Sequence, residues 1–322
     1  MEADRPALCD VAGFGQAGRM SSDAGPVSHL HTGDMVQIDY RDEGPSDGPV
    51  VVLLHGYPDI PATWDAVIGM LPPGLRIIRP SLRGVGSSKT LDQRARSGQV
   101  AALASDVLEL LHALDVRDVV LVGHDWGARA AHAAAALEPE LFRGLVTLST
   151  AYGDGRGLTA EQSLADASVA WYRYWLCTDR GAAAFRADPA ALTRWAWRHW
   201  SPSVELTDSD LEAILTATDT EEFADDVVHY YRHGAGAADG APVYAETQAR
   251  LDAWPRIRVP ATFLIGTADG CETLAPARAN GHLFDGERTL IELDGVGHFI
   301  QREQPRAVVD AVVSHLGAPH AD

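Results

Sequence analysis

The chain has 322 residues, 46% hydrophobic and 22% charged, which fits a globular protein with one core and room for an insertion. Its net charge of −19, from 45 acidic and 26 basic side chains, opposes binding to nucleic acid or an anionic membrane. No apolar run approaches the roughly 18 residues of a membrane-spanning helix, and Cys9, Cys177 and Cys271 are too scattered to hold a metal. We therefore expect a cytoplasmic protein without metal or other cofactor, acting on a small molecule.

Residues 1–27 are polar and glycine-rich, with neither the basic start nor the apolar centre of a signal peptide, and are expected to be a disordered extension. HLHTGDMVQIDYRD (29–42) alternates polar and apolar residues, predicting two antiparallel strands around Thr32, Gly33 and Asp34. VVVLLHG (50–56) reads as a strand buried on both faces and LRIIRP (75–80) as the next. A helix over about 97–114 follows from apolar residues three and four apart. DVVLVG (118–123) is a strand, RAAHAAAALEP a helix and RGLVTLST (143–150) a strand, and ATFLIG (261–266) and RTLIEL (288–293) continue the pattern. This alternation predicts an α/β fold with a mostly parallel sheet and helices on both faces.

Residues 152–252 break the rhythm. Between 152 and 250 lie Trp171, Trp175, Trp195, Trp197, Trp200 and six of the eight tyrosines, in helical segments without strands between them. We expect a helical lid inserted between core segments 28–151 and 253–322, its aromatics serving either as packing between lid helices or as the wall of an apolar cavity.

GHDWG (123–127) has the G-x-S-x-G spacing of a nucleophile elbow, with Asp125 in the serine position, a strand before it and a helix after. GPSDG (44–48) matches the letters but joins two strands and is read as a turn. His298, in DGVGHF, follows the last predicted strand, where a general base belongs. Asp269, in GTAD, follows the preceding strand and can orient that histidine, with Glu272 its rival. HGYP (55–58) places the Tyr57 N–H where it can point back at the elbow, so Tyr57 and Trp126 are expected to form the oxyanion hole through their backbone. A lone aspartate in a turn is usually a helix cap. The force of the assignment is that every element stands in order at the carboxyl end of a predicted strand.

VVVLLHGYPD, VLVGHDWGA and GVGHFIQREQP resemble the α/β-hydrolase superfamily, in particular its epoxide hydrolase and dehalogenase branch, over about residues 28–317. The chain departs from that family at Ser81 of PSLRG, where an aspartate is usual and structural. The resemblance implies an α/β-hydrolase fold with Asp125 as nucleophile. Serine attacking a saturated carbon would leave an ether, whereas aspartate leaves an ester that His298 can hydrolyse by activating water.

The resemblance also implies two lid tyrosines that bind the epoxide oxygen. AWYRYW (170–175) places Tyr172 at the first position, and HGAG followed by APVY points to Tyr244 at the second, with Tyr174, Tyr230 and Tyr231 as competitors. Trp126, Trp171 and Tyr174 are the expected substrate contacts, with an apolar epoxide as substrate. Haloacetate dehalogenases carry arginines one and four places after the aspartate. Trp126 and Arg129 stand there, so only half of that clamp is present, and Arg129 is expected on a solvated helix face. Residues 148–151, where related dehalogenases often carry the orienting acid, contain no carboxylate. Epoxide hydrolysis is therefore the primary expectation. A haloalkane or haloacid dehalogenase and a catalytically silent ligand-binding scaffold are the alternatives.

Overall fold

The computed structural model describes residues 28–32, 35–153 and 155–317, so the expectations for residues 1–27 and for a turn at Gly33 and Asp34 lie outside the described residues. Among the described residues nine strands form one sheet: β1 (Ser28–Thr32), β2 (Val36–Glu43), β3 (Val50–Leu54), β4 (Arg76–Pro80), β5 (Lys89–Thr90), β6 (Val119–His124), β7 (Phe142–Leu148), β8 (Ala261–Gly266) and β9 (Arg288–Leu293). Their order is β1-β2-β4-β3-β6-β7-β8-β9, with β5 paired on β2. β1, β2 and β5 pair antiparallel, and every pair from β4 to β9 is parallel.

The continuous apolar runs follow from this geometry. All of β3, β6 and β8 are buried because helices cover both faces of the sheet. Period-two alternation sends Val52, Leu54 and Leu121 to one core and Val51, Leu53, Val120 and Val122 to the other. Each fully buried aliphatic side chain contributes about 1.5–3 kcal/mol relative to exposure.

The connection leaving β3 runs to β4 on one side, and that leaving β6 runs to β7 on the other. The β3–β6 boundary is thus a topological switch point, which opens a crevice at the carboxyl ends of these strands. The register Leu54↔Gly123 brings the HGYP loop beside the elbow. Between β7 and β8 the described residues hold only helices, including Trp171–Cys177, Pro189–Trp200 and Glu221–Gly234. Thr178, Asp188 and Thr220 cap three of the insertion's helices by accepting backbone N–H bonds, so local capping punctuates it.

Candidate active site

Asp125 follows the last residue of β6 with φ 51° and ψ −114°, immediately before the Trp126–Leu137 helix. Such a backbone costs a non-glycine residue on the order of 1–3 kcal/mol and persists only where its surroundings enforce it. Glycines permit the tight turn: a Cβ on Gly127 would stand 2.3 Å from the Leu54 carbonyl oxygen, and one on Gly56 would stand 2.5 Å from the Asp125 Cβ. The carboxylate is thereby held above the sheet crevice. Tyr57 N–H donates to Asp125 Oδ1 at 2.7 Å. Trp126 is the first residue of its helix, where backbone N–H groups have no intrahelical acceptor.

His298 reaches the site from the loop after β9. Its Nδ1 lies 2.9 Å from Asp269 Oδ2 and 3.1 Å from Oδ1, and its Nε2 lies 3.7 Å from Asp125 Oδ2. Asp269 Oδ1 also accepts from the Cys271 and Glu272 N–H groups at 2.7 and 3.0 Å, fixing the carboxylate before it meets the imidazole. The histidine backbone is anchored as well: His298 N–H donates to the Trp200 carbonyl at 2.9 Å, and the His298 carbonyl accepts from Ser149 Oγ at 2.6 Å. Nε2 is buried and makes no hydrogen bond among the described residues. It is the ring atom left to take a proton.

Burial opposes charge on His298, but Asp269 and Asp125 outweigh it and raise the imidazole pKa to about 10. Burial likewise opposes ionisation of Asp125, and the nearby charge of His298 overcomes it, so its pKa falls below the ordinary carboxylate value. The resting site is an ion pair. Neutralising Asp125 by esterification removes one of the two charges that hold the imidazole protonated, which lowers its pKa and makes the neutral, proton-accepting form of His298 accessible once an ester exists.

A cavity of about 290 Å³ covers Asp125, with walls that include Trp126, Tyr172, Tyr230 and Tyr231. The rings of Tyr172 and Tyr231 meet edge-on at 5.4 Å. Tyr172 Oη lies 3.2 Å from Cys271 Sγ and accepts from Arg173 Nε at 3.2 Å. Tyr231 Oη accepts from Trp126 Nε1 at 3.3 Å, and Tyr230 stacks on the Trp126 ring at 4.1 Å. Burial pushes both the Tyr172 and Tyr231 hydroxyls well above the usual phenol pKa, keeping them protonated. Glu272, the rival to Asp269, instead pairs with Arg173 at 2.5 Å. A larger hollow of about 1080 Å³, lined by residues such as Thr63, Asp65 and Arg302, contains neither Asp125 nor His298.

Three expectations are corrected. Tyr244 does not line the cavity over Asp125: its hydroxyl accepts from Arg83 at 3.0 Å beside the buried Arg83–Asp106 ion pair, so packing between core and insertion takes the group expected to bind substrate. Trp171 also turns away from the cavity and lies against Trp175 and Trp195, with 40% of its surface exposed. Arg129 is half-buried and lines the cavity rather than a solvated helix face. Tyr174 does line the cavity while remaining exposed, and Trp126 contributes its ring to the wall. Ser81 lies in the loop after β4, its carbonyl accepting from Ser88 Oγ.

Tyr231 was the harder residue to select from sequence, but a signal existed. Phe223, Val227, Tyr230 and Tyr231 fall at i, i+4, i+7 and i+8 of one helix, marking its buried face. Cys271 and Arg173, which contact the Tyr172 hydroxyl, carried no comparable pattern.

The family model of the α/β hydrolase fold matches residues 49–305. The chain is 29% identical to an epoxide hydrolase of Caballeronia sordidicola over 318 residues, covering 84% of this chain and 88% of that one. It is 26% identical to epoxide hydrolase A of Mycobacterium tuberculosis, covering 90% and 97%. A solved Klebsiella pneumoniae structure, described as a candidate epoxide hydrolase, superimposes with a TM-score of 0.83 at 33% identity, covering 92% of this chain and 99% of that one. With aspartate, acid and histidine delivered after β6, β8 and β9 in that fold's order, the chain belongs to the α/β-hydrolase fold family.

Proposed function

We propose that this protein is an epoxide hydrolase that opens an epoxide to a vicinal diol through a covalent ester on Asp125. The observation that carries this reading is the pair of protonated tyrosines, Tyr172 and Tyr231, in the wall of the cavity above an ionised aspartate. The names of the relatives point the same way. A departing halide needs N–H donors, and one indole donor in the cavity wall, Trp126 Nε1, is already engaged by Tyr231. The convergence of Asp125, Asp269 and His298 beneath a cavity argues against a silent scaffold.

In the first step Asp125 attacks a ring carbon, the C–O bond breaks and the oxygen takes a proton from Tyr172 or Tyr231. Tyr57 N–H already holds Oδ1, so this atom is suited to become the ester carbonyl oxygen. In the second step the His298 imidazolium first gives up its Nε2 proton, which reprotonates the tyrosinate left by ring opening, and the neutral Nε2 then takes a proton from water as the water oxygen attacks the Asp125 carbonyl carbon. Tyr57 N–H, with Trp126 N–H, stabilises the tetrahedral oxyanion, each donor being worth about 3–4 kcal/mol by comparison with similar holes. Collapse breaks the ester C–O bond, the departing alkoxide takes the remaining proton of the added water from the Asp125 carboxyl to give the diol, and the Asp125–His298 ion pair is restored. Asp269 keeps Nδ1 protonated and the ring oriented.

The aromatic walls suit an apolar portion of the substrate. Cys177 and Cys271 are unpaired thiols, which supports a reducing, cytoplasmic setting, and no helix among the described residues is long and apolar enough to cross a membrane. The test is turnover of matched panels of epoxides and haloalkanes, beside Asp125→Asn. Diol formation that disappears in the variant is expected. Halide release without diol would overturn the proposal.

A further inference from the structure

We propose that Arg173 is a positioning residue for ring opening: its Nε–H holds and stabilises the phenolate of Tyr172, making Tyr172 rather than Tyr231 the proton donor. This rests on the epoxide hydrolase reading and goes beyond it by assigning the acid and the group that sets its strength. Both tyrosines wall the cavity over Asp125, and each hydroxyl oxygen accepts from a nitrogen donor. The donors differ in kind. Tyr231 Oη accepts from the neutral indole of Trp126 at 3.3 Å, whereas Tyr172 Oη accepts from the Arg173 guanidinium at 3.2 Å. A hydrogen bond from an ionised donor is roughly twice as strong as one between neutral groups, and it gains most when the acceptor becomes charged.

Arg173 is itself fixed. Its Nη2 donates to Glu272 Oε1 at 2.5 Å, so the guanidinium is tethered through one nitrogen and offers Nε–H to the phenol through another. Glu272 also accepts from Thr150 Oγ1 at 3.3 Å, and its own N–H donates to Asp269 Oδ1 at 3.0 Å. One short loop after β8 thus positions both the acid that orients His298 and, through Arg173, the acid that opens the ring. Cys271 of the same loop places Sγ 3.2 Å from Tyr172 Oη. Burial raises its thiol well above the ordinary cysteine value, so the S–H persists as a second, weaker donor to that oxygen. When N–H and S–H both face Oη, the hydroxyl proton is left for the substrate oxygen.

The surrounding charges divide the tyrosines in the same way. Burial raises both hydroxyls. Beyond burial, the strongest influence on Tyr172 is Arg173, which favours its phenolate, and the strongest on Tyr231 is Asp125, which opposes one there. Arg173 is half-buried, so water screens its charge less than at an open surface. In ring opening an Asp125 oxygen bonds to the epoxide carbon, the carbon–oxygen bond breaks and the ring oxygen takes the Tyr172 proton. The negative charge passes to Tyr172 Oη, against Arg173 Nε–H, until the His298 imidazolium supplies a proton. Tyr231 holds the ring oxygen by a hydrogen bond and keeps its own proton.

The test is a double-mutant cycle read by rapid quench under single turnover, which times formation and breakdown of the Asp125 ester separately. Styrene oxide, cyclohexene oxide and a straight-chain terminal epoxide are the probes. Arg173→Gln should slow ester formation by about tenfold or more and leave breakdown within about twofold, a selectivity that a packing role would not produce. In Tyr172→Phe the same change should cost less than about twofold, because no phenolate remains to stabilise, while in Tyr231→Phe it should still cost about tenfold. Arg173→Gln leaves the buried Glu272 without its ion-pair partner. The double variant Arg173→Gln/Glu272→Gln removes both charges at similar volume, and it should reproduce the loss if the single variant misfolds. Ester formation unchanged in either folded variant, or slowed as much in Tyr172→Phe as in the wild type, would overturn the assignment and leave the epoxide reading intact. So would an effect cancelled by Tyr231→Phe instead. An ester with none of the three epoxides would overturn the epoxide reading and the assignment with it.

Discussion

Replacing His298 by glutamine should separate the two halves of the reaction. The imidazole touches Asp125 only through Nε2 at 3.7 Å, whereas Oδ1 remains held by Tyr57 N–H at 2.7 Å, so the carboxylate keeps its aim when the ring is lost. Ester hydrolysis loses its general base, a loss of about 10²–10⁴-fold, equivalent to about 3–5 kcal/mol of barrier. The alkyl-enzyme should then accumulate to nearly one equivalent and appear in the intact mass as the mass of the added epoxide. Asp125→Asn should show no adduct. A further consequence follows from the charge: His298 is what brings the Asp125 pKa below its ordinary value, against the effect of burial. Without it burial dominates and the pKa rises, so alkylation in His298→Gln should accelerate with pH through a window above that of the wild type. A folded His298→Gln that forms no adduct at any pH with an epoxide the wild type turns over would refute this division of roles.

The tyrosines provide a contrast within one residue type. Tyr172→Phe and Tyr231→Phe should each lower kcat for epoxide opening by about 10²-fold or more with little loss of fold, measured by diol release beside thermal melting. Tyr244→Phe should cost about 1 kcal/mol of stability, by removing an acceptor from Arg83, and leave kcat nearly unchanged. Asp226 makes a pH prediction: burial raises its carboxyl to about 7, and its Oδ2 has no hydrogen-bond partner among the described residues. Because the native state holds this proton longer than the unfolded chain, stability conferred by the protonated form should fall as pH rises from about 4 toward 7. Asp226→Asn should flatten that decline in denaturant titrations, and an unchanged pH profile would show that Asp226 does not contribute.

Much of the catalytic geometry was legible before any coordinate because the signals are local. A strand of β-branched residues, a glycine-flanked aspartate and an alanine-rich helix specify the elbow within about two dozen residues, and β8 and β9 begin and end where their apolar runs do. Asp269 and His298 could be placed because each follows a strand whose end is marked in the sequence, and a parallel sheet gathers such ends on one edge.

The insertion was less legible, since which tyrosine faces the cavity depends on how helices from distant segments rotate against one another. Tyr244 and Tyr231 are both aromatic and both buried. Only the packed structure gives one to Arg83 and the other to Trp126 and the space above Asp125. Arg129 is a similar case, because a cation on a helix looks solvated until the opposite wall is in place. The sequence by itself determined the main strands of the sheet, the elbow and the positions of Asp125, Asp269 and His298 at strand ends, which are set by local turns and strand order. The tertiary structure decided which tyrosines and which charges line the cavity, because side chains from separate helices define that environment together.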